Sequence, residues 1–160
     1  MTFRNRAEAG QLLGTALLRH AGKTSLILGL SPGGIAVAYQ VARALRAPLD
    51  AGRAELPDLR ERTAIVVDDG SASEMVLRAT LDAVRQRRPK FVVLASPVLR
   101  EELARSLDPK VDELVTLREP RGHYALGAWY EELEPVSEEE ILRLLLLAGR
   151  TSGALLDHGP

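Results

Sequence analysis

Four short apolar runs, each separated from the next by a stretch with helical spacing, limit this chain to few architectures. They are Leu26 to Leu30, Ala64 to Val67, Phe91 to Ala95 and Leu114 to Leu117. Their apolar residues are nearly continuous rather than alternating, the pattern of strands covered on both faces. Between them, Ile35, Ala38, Val41, Ala42 and Leu45 recur at helical intervals, as do Val76, Leu77, Thr80, Leu81 and Val84, and Val98 to Leu107 reads as a shorter helix. Strands joined by helices close into a parallel sheet through right-handed crossovers. The expected fold is therefore α/β, a doubly wound, mainly parallel, Rossmann-like sheet.

The flanks fit the same plan. Asn5 can cap a helix with Glu8 three residues on, and Ala9, Leu12, Leu13, Ala16 and Leu17 carry it toward Gly22 on the outside of the sheet. Ser137 and Glu140 form a capping box before Ile141, Leu142 and Leu144 to Leu147, a final helix apolar on nearly every side. It is expected to be buried or shared between subunits, which with Trp129 predicts a homodimer. The stretch from Ala47 to Arg62 is broken by Pro48, Gly52 and Pro57, with Leu49 starting a short edge strand. With 160 residues and no internal repeat, one domain over residues 1–149 is expected, with 150–160 a frayed tail.

Composition removes several function classes. The 21 basic and 22 acidic residues leave a net charge of −1, so no global field draws in nucleic acid or an anionic membrane. Cysteine is absent, which excludes disulfides, thiolate zinc sites and a cysteine nucleophile. His20, His123 and His158 form no metal-ligand pair, and neither a nucleophile elbow nor a Walker-type loop occurs. The Arg85-Gln86-Arg87-Arg88 cluster reads as a solvated helix end. No apolar run approaches a membrane span, and no apolar signal core follows Arg4-Asn5-Arg6, so a soluble, cytoplasmic protein is expected.

The chemistry is concentrated after the second run, in Asp68-Asp69-Gly70-Ser71-Ala72-Ser73. Gly70 lets the chain turn, Ser71 and Ser73 offer hydroxyls, and the first amides of the following helix lack intrahelical partners, so the loop can hold a phosphate. Asp68 and Asp69 can hold ribose hydroxyls or a magnesium ion, directly or through water. The turn Ser31-Pro32-Gly33-Gly34 opens another helix, where free amides can face an anion; a tight turn with close helix packing is the alternative. If both loops flank the point where the winding reverses, they form one cleft.

Apolar strand, two acidic residues and a loop of small and hydroxylated residues resemble the phosphoribosyl pyrophosphate motif of type I phosphoribosyltransferases. The likeness runs from Phe3-Arg4-Asn5-Arg6-Ala7-Glu8-Ala9-Gly10 to Trp129-Tyr130 and Val136-Ser137, and is greatest to the small bacterial predicted phosphoribosyltransferases. It implies transfer of ribose 5-phosphate from phosphoribosyl pyrophosphate to a nitrogenous base, with magnesium as cofactor. Asp68 and Asp69 would take the ribose and metal, Gly70 to Ser73 the 5-phosphate, Ser31, Gly33 and Gly34 the pyrophosphate. Tyr124 and Trp129 are candidates for covering the acceptor base, with core or interface packing the alternative for Trp129.

The sequence departs from the family in four places. Pro32 stands where close relatives carry an arginine, and no Lys or Arg lies between Lys23 and Arg43. Glu74 replaces a glycine, Val76 replaces a hydroxyl residue, and residues 47–62 are short for the mobile lid of catalytic members. These departures sustain a second reading, a nucleotide- or phosphosugar-binding regulatory module without turnover. A phospho-acceptor receiver domain ranks last, because its further aspartate and lysine are not evident.

Overall fold

The structure, a computed structural model, describes residues 2–52 and 55–151. Its centre is a five-stranded sheet in the order β2-β1-β3-β4-β5, with every neighbouring pair parallel. The strands are β1 (Ser25–Gly29), β2 (Leu49–Asp50), β3 (Thr63–Val67), β4 (Phe91–Val98) and β5 (Glu113–Arg118). The helices are α1 (Arg6–Ala16), α2 (Pro32–Leu45), α3 (Glu74–Gln86), α4 (Glu101–Leu107) and α5 (Glu138–Thr151). The fold is the doubly wound parallel α/β class expected from the four apolar runs.

Side chains on alternate strand positions point to opposite faces, and the two core clusters follow that alternation. Ile27, Ile65, Val93 and Val115 face α1 and α2, meeting Leu13, Leu17, Val37, Val41 and Leu45. Leu26, Leu28, Val66 and Leu94 face α3 and α4, meeting Leu77, Leu81, Val84, Leu103 and Leu107. Burying a side chain of this size contributes roughly 1.5–3 kcal/mol, so these two layers are the main source of stability.

Both expected caps form. The Asn5 side chain accepts the Glu8 amide at 2.9 Å, and Ser137 Oγ accepts the Glu140 amide at 3.1 Å. Several boundaries differ from the sequence reading, among them the helix expected from Val98, which starts at Glu101 because Val98 ends β4. Pro32 is the first residue of α2, with the Ser31 hydroxyl accepting the Gly34 amide at 2.9 Å, so Pro-Gly-Gly is the first helical turn rather than a loop before it. Proline suits that position because its missing N–H would have no intrahelical partner. Strand β4 runs on past Ala95 to Val98, where it pairs only with β5 through Ser96–Thr116 and Val98–Arg118.

Helix α5 packs one face on α2 and on the β2 edge: Ile141 meets Ile35 and Ala51, and Leu144 and Ala148 meet Tyr39. Its other face leaves Leu142 and Leu146 more than half exposed. The helix continues to Thr151, two residues beyond the expected limit at 149; of the expected tail, residues 152–160 lie outside the described residues. Among the described residues, no helix is long and apolar enough to cross a membrane.

Candidate functional site

The strand order places the reversal of winding between β1 and β3, and the loops after these two strands meet there. Their contact is close. A Cβ on Gly33 would overlap Asp69 Oδ2 and lie 2.8 Å from both Asp69 Cγ and Arg6 Nε, while one on Gly34 would lie 3.1 Å from the Val67 carbonyl. The paired glycines therefore let the first turn of α2 rest against the end of β3.

Asp68 and Asp69 are buried at the carboxyl end of β3, 5% and 1% exposed. One Asp68 oxygen accepts the amides of Gly70 at 2.9 Å and Ala72 at 3.1 Å. Asp69 Oδ1 accepts the Ser71 amide at 3.0 Å and its hydroxyl at 2.6 Å, and Oδ2 takes Arg6 Nε at 3.0 Å. Such Asx bonds are local preferences of aspartate before glycine and serine. Burial, reinforced by the neighbouring Asp69 carboxylate, lifts the Asp68 carboxyl to about 6 against the loop amides that favour its charge.

Three loop amides expected to face a ligand thus already donate to carboxylates. The donors left toward the cavity are the amides opening α3, which have no intrahelical acceptor, and the Ser73 hydroxyl, whose oxygen caps α3 by accepting the Val76 amide at 3.2 Å. They open onto a cavity of about 280 Å³ lined by the loop from Gly70 to Glu74 together with Arg100, Leu103, His123 and Tyr124. That volume lies just under the usual range for sites that enclose a drug-sized ligand.

Several residues that sequence reasoning did not assign complete this wall. Arg100, at the start of α4, lines the cavity with 24% of its side chain exposed, and its Nη1 lies 3.7 Å from Glu102 Oε2. Its position beyond the end of an apolar strand was the available signal. Glu74, which directly follows the Asp68 to Ser73 loop in sequence, is directed to Arg78 Nε at 2.7 Å and the Ser106 hydroxyl at 3.1 Å. The i,i+4 spacing of Glu74 and Arg78 carries that pairing in the sequence. The Arg78 hydrogen bond, then the Ser106 hydrogen bond, hold the Glu74 carboxyl below its ordinary value.

Tyrosines fasten the loop from the other side. The Tyr124 hydroxyl donates to the Gly70 carbonyl at 2.8 Å, and the Tyr130 hydroxyl donates to the Asp69 carbonyl at 2.7 Å. Burial pushes the Tyr124 phenol up to about 12 and the Tyr130 phenol higher still, so both remain protonated donors. Gly70, at φ +108°, packs under the extended end of β4, where a Cβ would meet Val98 Cγ1 at 2.5 Å. Trp129 stands edge-on to Tyr124 with ring centroids 6.3 Å apart and packs against Phe3, Ala9 and Tyr130. Of the two acceptor-base candidates, Tyr124 lines the cavity and Trp129 packs behind it.

The donor set does not fit the magnesium ion that the resemblance implies. Both oxygens of Asp69 and one of Asp68 are taken by protein donors, and among the described residues no group of three acidic or histidine side chains could hold a metal.

No family model matches the chain. Two curated Mycobacterium tuberculosis proteins, from strains CDC 1551 and H37Rv, each named "Putative phosphoribosyl transferase", are 25% identical to it over 210 aligned positions. The alignment takes in 92% of this chain, which spans about half the length of these relatives, 47%. A crystal structure from Thermus thermophilus is 27% identical, covering 92% of this chain and 99% of its own, with a TM-score of 0.79. Fold likeness extends to the purine phosphoribosyltransferase of Pyrococcus horikoshii, with a TM-score of 0.54 at 19% identity over 83% of this chain and 92% of that one. The chain is thus similar in sequence to proteins named phosphoribosyl transferases and similar in fold to a purine phosphoribosyltransferase. In this chain, the acidic loop and the Gly-Gly turn occupy the cleft at the switch point, with Arg6 beside Gly33, where the β1–α2 connection has no cation of its own.

Proposed function

We propose that the chain binds a phosphosugar, phosphoribosyl pyrophosphate or a nucleotide 5-phosphate, with the 5-phosphate seated in the cavity between Gly70 and Glu74. The observation that carries this is the convergence of the α3 amides, the Ser73 hydroxyl and Arg100 on one cavity beside the switch point. An anion there meets the positive end of α3 and a guanidinium able to form a bidentate pair. The Gly33-Gly34 turn is the counterpart for pyrophosphate.

The reaction this supports is transfer of ribose 5-phosphate to a nitrogenous base. The bond from ribose C1 to the pyrophosphate oxygen breaks and pyrophosphate leaves with its electron pair. A bond forms from a base nitrogen to C1, and that nitrogen loses its proton to solvent. The protein's part is positioning and charge complementarity. A second reading, binding without turnover, is favoured by the Gly70, Ser71 and Ala72 amides being folded back onto Asp68 and Asp69. Titration with phosphoribosyl pyrophosphate, with and without magnesium, followed by pyrophosphate release over a panel of purine and pyrimidine bases, separates the readings. Release with one base establishes the transferase, binding without release establishes the module, and no binding removes both.

The exposed Leu142 and Leu146 on α5 support a homodimer. Sedimentation should find a dimer at micromolar concentration, and a monomer alone would contradict it.

A further inference from the structure

Asp69 has the motif position of a ligand residue and the surroundings of a strut. Its side chain is 2% exposed, and it shares one oxygen with Ser71 and the other with Arg6. Arg6 belongs to the first turn of α1 and is 63 residues away in sequence. Its side chain is 16% exposed, and its Nη1 donates to the Glu134 carbonyl at 2.7 Å. Gly33 presses on the same pair, since any side chain there would overlap Asp69 and crowd Arg6. The Asp69 carbonyl meanwhile accepts the Tyr130 hydroxyl. Four separate stretches, the start of α1, the start of α2, the loop after β3 and the segment leading to α5, therefore converge on one ion pair.

We infer that Arg6 and Asp69 are a positioning pair, which fixes the Gly70 to Ser73 loop against the first turn of α2 and engages Asp69 within the protein rather than with ribose or metal. A desolvated pair does this well. Removing one partner strands the other charge in the interior, so the loop can adopt its native place only with both present or with both neutralised. The pair acts through the loop and needs no contact with ligand. Its consequence for binding rests on the phosphosugar reading, while its consequence for loop order does not.

The test is a double-mutant cycle in the full chain with Arg6→Gln, Asp69→Asn and the double variant, and with Arg6→Lys as the conservative control. Amide hydrogen exchange across residues 68–73 is measured without ligand, and ribose 5-phosphate is titrated with and without magnesium. Each single neutralisation should speed loop exchange and weaken ribose 5-phosphate by roughly tenfold, with the double variant no worse than the more affected single, because coupled partners are not additive. The ratio of affinities with and without magnesium should be the same in all variants. Arg6→Lys, which keeps charge but not the guanidinium fork, should fall between parent and Arg6→Gln.

If the two single effects multiply in the double variant, the inference is overturned. The same holds if Asp69→Asn alone loses affinity and magnesium dependence while Arg6→Gln matches the parent, which would make Asp69 a ligand residue. Should a single variant fail to fold, Arg6→Lys decides the point: loop exchange identical to the parent counts against the pair, faster exchange at unchanged global stability supports it. A parent that does not bind ribose 5-phosphate removes the proposed function, and the exchange cycle still decides the pair.

Discussion

Replacing Gly33 with alanine adds one methyl group where three constrained groups already meet. The new Cβ would overlap Asp69 Oδ2 and stand 2.8 Å from Asp69 Cγ and Arg6 Nε. None of these atoms can swing clear cheaply, because Asp69 is held by Ser71 and Arg6 by the Glu134 carbonyl. Relief requires the pair to part, which for a fully desolvated pair costs about 3–5 kcal/mol; the partial exposure of Arg6 argues for the lower end, about 3. Alanine returns up to about 1 kcal/mol of helix propensity in the first turn of α2. The net loss is about 2 kcal/mol, a fall in Tm of roughly 4–8 °C for a chain of this length. Gly127→Ala, whose methyl would meet nothing within 4 Å, is the matched control and should stay within about 0.5 kcal/mol of the parent. Urea and thermal unfolding of both variants provide the measurement. A Gly33→Ala protein as stable as Gly127→Ala would refute the packing argument.

Three further outcomes are expected. Because the Asp68 carboxyl is raised from 3.8 to about 6, folded protein retains a proton that the unfolded chain has released between those values. The stability it contributes is full below about pH 4 and is lost as pH rises through about 6, roughly 3 kcal/mol for two pH units. The parent should lose that much relative to Asp68→Asn between these limits in urea titrations, and parallel pH curves would contradict it. Tyr130→Phe removes the bond to the Asp69 carbonyl and leaves that acceptor buried, a loss of about 1–2 kcal/mol in equilibrium unfolding. Arg100→Gln should weaken ribose 5-phosphate at least about tenfold in calorimetry while leaving Tm near the parental value, since charge-assisted bonds to phosphate contribute about 1.5–3 kcal/mol.

The sheet was legible because its strands are apolar on both faces, and their expected limits fall within a residue of those observed for β1, β3 and β5. Strand β4 ran longer than expected: it takes in Val98, which helical spacing assigns to the following helix, and reaches it through a proline, Pro97. The strand tolerates it beyond the end of β3, where only β5 remains as a partner. The cleft was legible only as a condition, since the chain order of strands and helices leaves the strand order of the sheet open, and the order β2-β1-β3-β4-β5 places the reversal between the two loops. Side-chain contacts across the cleft were not legible. Arg6 carries no local mark of its bond to Asp69, and a carboxylate at a strand end looks the same in sequence whether it faces a ligand or its own loop. The Asx bonds of Asp68 and Asp69 were foreshadowed by Asp-Asp-Gly-Ser itself, a turn composition that competes with a ligand for the same amides.

The central claim is that the start of α3 seats a phosphate, and crystals grown or soaked with ribose 5-phosphate test it most directly. The account predicts phosphate oxygens within hydrogen-bond reach of the first α3 amides, the Ser73 hydroxyl and Arg100, with the Arg6–Asp69 bond intact. A phosphate bound elsewhere, or a cavity empty at saturating ligand, would contradict it.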